Sequence, residues 1–252
     1  MKIKLNCDLG ESFGSWRMGN DAEIMPLIDM ANIACGFHAS DPMIMKQTII
    51  LAKQHQVSIS AHPGYPDLQG FGRRSMNFNH DEIVTMIQYQ VGALQALCVA
   101  QGKTVDYVKP HGALYHAMMN DTAVREAVFT SVSELSGQFG RALPLVVLAN
   151  NQADEMTEEA GRFSVDLLFE AFADRMYTDE GALVPRNQAN AVLHEIDEIL
   201  DHIEHLVSKQ QVTTISGKLI SIQADTVCVH GDHPQALRSV KAIRQSIEAS
   251  TS

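Results

Sequence analysis

Seven short apolar segments, each followed by a polar motif, alternate along this chain with longer segments of helical periodicity. The clearest of them is 57–61 (VSISA), where apolar side chains alternate with serines before the chain turns at His62-Pro63-Gly64. Proline donates no backbone N–H and glycine tolerates unusual dihedral angles, so the strand should end there. Strands that alternate with helices predict parallel pairing, right-handed crossovers and an α/β architecture.

The same periodicities predict every other element. Strands are predicted at 3–8, 31–36, 57–62, 107–109, 145–148, 165–170 and 226–230. Helices are predicted at 20–28, 42–55, 80–101, 121–138, 152–160, 188–207 and 235–249, with a hairpin at 212–222. Asp41 before Pro42 and the Asn79/Glu82 pair are predicted to cap two of the helices.

Polar groups at nearly every strand end favour a closed barrel over an open sheet. An open sheet gathers its site at one switch point, whereas a barrel uses all its carboxyl-terminal loops. Alternate positions of the first and third strands are polar and the others apolar, as expected of strands with a polar barrel interior and a helix-covered exterior. The predicted fold is an irregular seven-stranded TIM-like β/α barrel, one domain over residues 1–252. The groups expected at its mouth are Asp8, His38, His62, Lys109, His111, Glu170 and His230.

Composition narrows the possible partners. The formal net charge of −11 disfavours nucleic acids and anionic membranes, which select basic surfaces. The four cysteines form no CxxC pair, which fits buried thiols in a reducing compartment. The chain begins directly with a strand, and no apolar run is expected to be long enough to cross a bilayer. We therefore expect a cytoplasmic protein.

The convergent histidines and carboxylates suit either a divalent metal or a general acid and base working near neutral pH. The candidate catalytic residues are Asp8, His62, Lys109 and His111. His62 or His111 would activate water, and Lys109 would stabilise developing negative charge. The candidate metal ligands are Asp8, His38, His62 and His230. Hydrolysis of an amide-like or ester-like bond is the reaction class that such a mouth favours.

Substrate binding is assigned to loop residues that supply cations, carboxylates and a phenol. They are Tyr65, Arg73, Arg74, Glu170, Asp174, Arg175, Arg186 and Asp232. Alternative interpretations stay open: Tyr65 could serve packing alone, and Glu11 could cap a loop. Histidines 55, 80, 194, 202 and 205 are predicted to lie on exposed helix faces or helix ends.

Seven motifs, spread over residues 6–232, resemble the LamB/YcsF family: NCDLGESFG, NIACGFHASD, HPGYPDLQGFGRR, VKPHGALY, EAFADRMY, LVPR and VCVHGD. The resemblance implies an irregular seven-stranded β/α barrel of the glycoside hydrolase/deacetylase type. Two positions depart from the family pattern. Ser40 stands where the family usually has glycine, and His116 stands where asparagine is common.

The family's characterised role, implied here by resemblance, is that of the A subunit of the prokaryotic ATP-dependent 5-oxoprolinase. That enzyme opens the lactam of 5-oxo-L-proline (pyroglutamate) to L-glutamate with two partners, the B and C subunits. A lactam is resonance-stabilised and re-closes readily, so ring opening needs an energy source. Gly102-Lys103-Thr104 echoes a P-loop but lacks its upstream glycine, so ATP would be bound through the complex. The alternatives are a stand-alone metal-dependent deacetylase or amidohydrolase, and a non-catalytic protein that presents 5-oxoproline to its partners.

Overall fold

The computed structural model describes residues 3–229 and 236–249. Its strands are β1 (Lys4–Leu9), β2 (Met30–Ala34), β3 (Ser58–His62), β4 (Tyr107–Val108), β5 (Leu145–Leu148), β6 (Leu167–Phe172), β7 (Gln211–Thr213), β8 (Leu219–Ser221) and β9 (Thr226–Val229). Its α-helices are α1 (Asp21–Ile24), α2 (Pro42–Gln54), α3 (His80–Ala100), α4 (Gly112–Asn120), α5 (Thr122–Phe139), α6 (Ala153–Gly161), α7 (Ile196–Lys209) and α8 (Ala236–Ala249).

In the part of the chain that the structure describes, seven strands close a barrel in the order β1–β2–β3–β4–β5–β6–β9. Every neighbouring pair is parallel, so all carboxyl ends open at one mouth. The predicted seven-stranded TIM-like barrel is confirmed. β7 and β8 form a separate antiparallel hairpin, as predicted.

The two faces of the barrel strands differ in polarity, as their alternation predicts. Outward side chains such as Leu5, Ile33 and Ile59 are fully buried in the layer between strands and helices. Near the amino ends of the strands the inward side chains are apolar: Met30 and Tyr107 pack together with Val146 and Leu168. Closer to the carboxyl ends of the strands, the interior carries polar side chains that are fully buried: Asn6, Asn32, Ser60 and Glu170. The polar interior therefore leads directly into the mouth.

Both predicted helix caps are present. The Asp41 carboxylate accepts hydrogen bonds from the backbone N–H groups of Met43 and Ile44, with Pro42 in the first turn of α2. Asn79 and Glu82 form a reciprocal capping box at the start of α3.

Helix α3 departs from the expectation that no segment could span a bilayer. By length and composition alone it is long and apolar enough to do so. Its apolar side chains Ile83, Ile87, Val91 and Leu94 are buried, however, and the helix packs against α2, α5 and β3. We interpret α3 as a core helix of the barrel's outer layer.

Two predictions around proline and glycine residues are wrong for local reasons. The helix predicted over 20–28 ends at Ile24 and continues as a 3₁₀ turn (Met25–Leu27), because Pro26 cannot donate the next helical hydrogen bond. Helix α4 was not predicted at all, because Pro110 and Gly112 indicated a loop. Gly112 adopts φ 52° and allows the chain to turn into that helix directly after His111.

The first part of the helix predicted over 188–207 is also absent. Val192 instead forms an isolated antiparallel bridge with Arg175, and Leu193 N–H donates to the Asp174 carbonyl. Pairing with the segment that follows β6 overrides the local helical periodicity, and α7 begins only at Ile196.

The prediction that His202 is exposed is wrong. Its side chain in α7 is only 7% exposed and stacks on Tyr177, with ring centroids 6.1 Å apart. Burial lowers the pKa of His202 to about 4. The folded protein therefore keeps His202 neutral, whereas an unfolded histidine protonates below pH ~6.5.

The stability that neutral His202 confers should be complete above pH ~6.5 and decrease as the pH falls toward about 4. For one proton the slope is about 1.4 kcal/mol per pH unit. Urea unfolding at pH 7.5 and 5.0 should therefore show that wild type loses about 2 kcal/mol more than His202→Phe, which cannot titrate. Parallel pH dependence of the two proteins would contradict this prediction.

Ser40 lies in the loop before α2 and adopts φ 77°, although its side chain is buried. A residue with a Cβ pays roughly 1–2 kcal/mol in this left-handed region, whereas glycine does not. This backbone conformation is a physical reason for the glycine that the family usually has here.

Ser40→Gly should therefore raise the free energy of unfolding by about 1 kcal/mol, which corresponds to a Tm roughly 2–4 °C higher. Ser133→Gly, in the interior of α5, is the matched control and should destabilise by about 0.5–1 kcal/mol. Thermal melts of the three proteins test this. A Ser40→Gly protein that melts at or below the wild-type temperature would show that the loop relieves the strain elsewhere.

Candidate active site at the barrel mouth

A cavity of about 270 Å³ opens at the carboxyl ends of the barrel strands. Eight residues assigned from sequence line it: Asp8, His62, Arg73, Lys109, His111, Glu170, Arg175 and Arg186. Pockets for drug-sized ligands usually measure roughly 300–1,000 Å³. The volume of this cavity therefore suits a small molecule rather than a nucleotide.

Lys109 is the central charge of the cavity floor. Its ammonium lies 3.1 Å from Asp8 Oδ1, 3.0 Å from Glu170 Oε2 and 3.2 Å from Asn6 Oδ1. Cys228 Sγ lies 3.2 Å from the same ammonium, so its three N–H donors are shared among four neighbouring groups. Burial opposes the charged form of Lys109, but Asp8 and Glu170 outweigh that cost and hold its pKa well above the usual value. Lys109 is therefore a buried, permanently charged cation.

The polar barrel interior holds this arrangement in place. The Tyr107 hydroxyl donates to Asn32 Oδ1 at 2.7 Å, and Asn32 Nδ2 donates to both Asn6 and Asp8 at 2.8 Å. Asn6 Nδ2 in turn donates to Thr226 at 2.9 Å. The alternating polar positions of several strands thus form one network beneath the site.

Two histidines are held in defined tautomers by backbone carbonyl groups. Nδ1 of His62 lies 2.6 Å from the Lys109 carbonyl oxygen, and Nε2 of His111 lies 2.8 Å from the Phe71 carbonyl oxygen. Because a carbonyl only accepts, each of these nitrogens must carry a proton. The remaining nitrogens, His62 Nε2 and His111 Nδ1, then face each other at 3.0 Å as acceptors. A shared proton or a nearby cation would stabilise that arrangement.

His38 and Glu11 complete the cluster. The His38 ring stacks on His111 with centroids 3.7 Å apart, and its Nε2 lies 3.7 Å from Glu11 Oε1. Burial, followed by the neighbouring histidines, lowers the pKa of His38 well below its usual value, and the same causes lower that of His111 to about 3. Both rings are therefore neutral, the form that binds metal ions.

This group fits a divalent metal ion. One ligand atom from each of Glu11, His38, His62 and His111 lies within 4.8 Å of the others. Both ring nitrogens of His38 are buried and lack a hydrogen-bond partner among the described residues, which is uncommon without a ligand. Three imidazoles and one carboxylate are also a typical zinc ligand set. The predicted ligand set differs: Asp8 pairs with Lys109 instead, and His230 lies outside the described residues.

The loop after β3 approaches this cluster closely. A Cβ added at Gly64 would lie 2.7 Å from His38 Nδ1, and one at Gly72 would lie 2.7 Å from His38 Cβ. Gly72 also has φ 63°. Only glycine allows the backbone to pack directly against these rings.

Arg74 stabilises this loop and does not line the cavity. Its guanidinium binds the Asp67 carboxylate, with Nε at 2.9 Å from Asp67 Oδ1, and holds the Asp67 pKa at about 2. Asp67 also accepts from the Gly70 N–H at 2.9 Å. Tyr65 is likewise outside this cavity, since it is 2% exposed and packs on Phe78.

Asp174 is the remaining described residue of the predicted binding set, and it does not line the cavity either. Asp232, like His230, falls outside the described residues. The structure therefore brings together the catalytic set and most of the cations, but not Tyr65, Arg74 or Asp174.

From the sequence, Glu11 was expected at the mouth but not among the metal ligands, and Tyr115 was given no role beyond packing. Glu11 follows β1 directly, in the DLGES motif, and reaches the histidines from there. Tyr115 is one helical turn beyond His111 in α4, the helix that was not predicted, and lines the cavity. Predicting a helix from Gly112 would have revealed Tyr115, because residues four apart, such as His111 and Tyr115, lie on the same helix face.

Tyr115 and Glu170 leave polar atoms unsatisfied in the cavity wall. The Tyr115 hydroxyl and Glu170 Oε1 are buried without a hydrogen-bond partner of normal geometry among the described residues. Burial, and then the nearby Glu170 carboxylate, raise the pKa of Tyr115 well above its usual value. Glu170 also acts on Tyr115 as a side-chain hydrogen-bond partner, so the two groups lie close together and can exchange that contact for one with a bound molecule.

The family model described as LamB/YcsF matches residues 3–252. The chain belongs to the LamB/YcsF family. This LamB/YcsF chain is 54% identical over 246 residues to the A subunit of 5-oxoprolinase from Vibrio campbellii, with 98% of this chain and 96% of that relative covered. It is 46% identical to the protein of the same description from Pseudomonas fluorescens, over 98% and 97% of the two chains.

Solved structures agree with this LamB/YcsF membership. The "Lactam Utilization Protein" from Thermus thermophilus is 37% identical, with a TM-score of 0.90 over 100% of this chain and 98% of that one. A structure from Enterococcus faecalis, with a TM-score of 0.57 and 10% identity, shares the fold alone. The resemblance drawn from the seven motifs is confirmed.

Proposed function

We propose that this chain is the A subunit of 5-oxoprolinase, a single-domain cytoplasmic hydrolase that opens the lactam ring of 5-oxo-L-proline to give L-glutamate. In this proposal it acts with the B and C subunits and is coupled to ATP hydrolysis. The observation that carries the proposal is the buried cluster of Asp8, His62, Lys109 and His111 in a cavity sized for a small molecule. The choice of a lactam as the substrate comes from the names of the relatives that match along nearly their whole length.

We assign the activation of water to His62 Nε2 and His111 Nδ1, the two nitrogens that face each other. His62 Nε2 lies 3.4 Å from Asp8 Oδ2 and has its other nitrogen fixed by a carbonyl group, so it can accept a proton from water. Asp8 then stabilises the imidazolium that forms. His111 Nδ1 lies beside it and can share that proton.

Charge developing on the lactam oxygen falls to Lys109. Its ammonium would exchange one of its present acceptors for that oxygen. As the C–N bond breaks, the ring nitrogen gains the proton that His62 took from water. The Tyr115 hydroxyl and the Glu170 carboxylate line the same cavity, and they would turn from each other to hold the ring N–H and the departing amine.

A divalent cation, if bound, would be held by Glu11, His38, His62 and His111 and would polarise a carbonyl group or lower the pKa of water. It would use the same free nitrogens of His62 and His111, so it would replace the histidine base rather than act beside it. ATP chemistry is assigned to the partner subunits. Gly102-Lys103-Thr104 follows the carboxyl end of α3, whereas a P-loop precedes the amino end of a helix.

The proposed function is tested by assaying ATP-dependent turnover of 5-oxo-L-proline by the chain alone, by the B and C subunits without it, and by all three. Only the complete set should be active. Robust ATP-independent turnover by the chain alone would instead favour the stand-alone amidohydrolase. Equal turnover with and without the chain would remove it from the reaction.

His111→Ala should lower turnover by about a hundredfold or more, because general acid–base help contributes roughly two to four orders of magnitude. The measurement is kcat at saturating concentrations of both partners, with a thermal melt to verify folding. His80→Ala is the matched control, since that histidine is half exposed on α3 and pairs only with neighbouring surface groups. Near-normal turnover in a folded His111→Ala protein would remove His111 from the chemical step; the same result for Lys109→Met as well would support the substrate-presenting alternative.

A further inference from the structure

Three arginines line the cavity, and Arg175 differs from the other two in burial. Arg73 and Arg186 are exposed, and Arg73 stacks over the Phe71 ring at 5.0 Å. Arg175 is only 3% exposed, although it carries a full charge.

The partners of Arg175 are backbone carbonyl groups. Its Nη2 donates to the Val184 oxygen at 2.6 Å and its Nε to the Ala191 oxygen at 3.4 Å. Among the residues that the structure describes, none places a carboxylate within ion-pair distance of this guanidinium. A buried charge normally has an ionic partner, so this guanidinium is suited to a bound anion.

The surroundings of Arg175 add positive potential. Burial, followed by Arg186, lowers the pKa of Arg175 to about 10. Partial burial and the same two arginines lower the pKa of His116, which also lines the cavity. This side of the cavity thus favours an anion, while Asp8, Glu11 and Glu170 supply negative charge elsewhere in the lining.

We propose that Arg175, assisted by Arg186, binds the carboxylate of the lactam acid and so selects and orients the substrate. This assignment rests on the proposed function. A guanidinium matches a carboxylate through paired N–H donors, which fixes direction as well as position. In 5-oxoproline one of the two carbons that flank the ring nitrogen carries the carboxylate, and the other is the lactam carbonyl carbon. Anchoring the carboxylate at Arg175 would therefore direct the carbonyl toward the Lys109 side of the cavity.

The test compares two ligands of the full chain by calorimetric titration: 5-oxo-L-proline, and 2-pyrrolidinone, the same ring without the carboxylate. Wild type should bind the acid more tightly. Arg175→Gln and Arg186→Gln should each weaken acid binding about tenfold to a hundredfold and leave 2-pyrrolidinone binding unchanged. Arg175→Lys should retain part of the preference. Arg162→Gln, which removes an exposed arginine paired with Glu158, is the matched control and should change neither ligand.

Arg175 also holds the segment after β6 in place through its hydrogen bonds to the Val184 and Ala191 carbonyl groups, so its replacement could disturb the site. Arg186→Gln serves as the second variant because it leaves these two hydrogen bonds intact. An unchanged preference for the acid in both glutamine variants, with turnover in the complex intact, would overturn this assignment alone. Equal wild-type affinity for the two ligands, with binding of inorganic phosphate that depends on Arg175, would reassign the residue to a phosphoryl group. A wild-type chain that binds neither ligand would overturn this assignment, whereas the proposed function stands or falls separately on turnover by the complete set of subunits.

Discussion

Replacing Lys109 by methionine should lower turnover by about a hundredfold or more and also destabilise the fold. An oxyanion-stabilising donor contributes roughly two to three orders of magnitude. The loss of stability arises because Glu170 is fully buried, and Asp8 lies beside it, so both carboxylates would lose their cation. Breaking a buried ion pair from one side costs about 3–5 kcal/mol. Because Lys109 is buried, it contributes to the stability of the fold as well as to the site.

The two effects can be separated by a second substitution. In Lys109→Met/Glu170→Gln the unpaired charge at Glu170 is gone, so much of the lost stability should return while turnover stays low. Arg162→Met removes a surface ion pair and should cost at most about 1 kcal/mol. Urea unfolding and kcat at saturating concentrations of the partners provide the measurements. A folded Lys109→Met protein with wild-type stability and near-normal turnover would remove Lys109 from both roles.

Replacing His38 by alanine should abolish most of the affinity of the chain for zinc. Both ring nitrogens of His38 are buried and lack a hydrogen-bond partner among the described residues, and the ring lies within the cluster of Glu11, His62 and His111. Even supporting residues of metal sites typically change affinity 10- to 100-fold, so loss of a ligand should cost about a hundredfold or more. Equilibrium dialysis against Zn²⁺ measures this directly and does not depend on activity.

Thermal melts provide an independent readout of the same site. Zinc at a hundred times its Kd should stabilise wild type by about 2.7 kcal/mol and leave His38→Ala nearly unchanged. His80→Ala, which removes an exposed histidine outside the cluster, should bind and respond as wild type does. A wild-type chain without saturable zinc binding, or a His38→Ala variant that binds zinc equally well, would contradict the metal site.

The architecture and the location of the site could be predicted from local sequence patterns. Period-two alternation assigned polar groups such as Asn6 and Asp8 to the barrel interior, because successive strand residues point to opposite faces. Parallel strands then had to bring Asp8, His62 and Glu170 to one mouth. Capping chemistry at Asp41 and Asn79 is equally local, so it too could be predicted.

The pairing of charged groups became known only from the folded chain. Arg74 and Arg175 look alike in the sequence, yet one binds Asp67 outside the cavity and the other is buried in its wall. Glu11 lies in the histidine cluster, whereas Asp8 forms an ion pair with Lys109. Val192 forms a β-bridge with Arg175, although the local periodicity favoured a helix there. These outcomes depend on contacts between segments far apart in sequence. Local patterns record which face a residue occupies, whereas charge pairing and burial depend on what the closed barrel places opposite it.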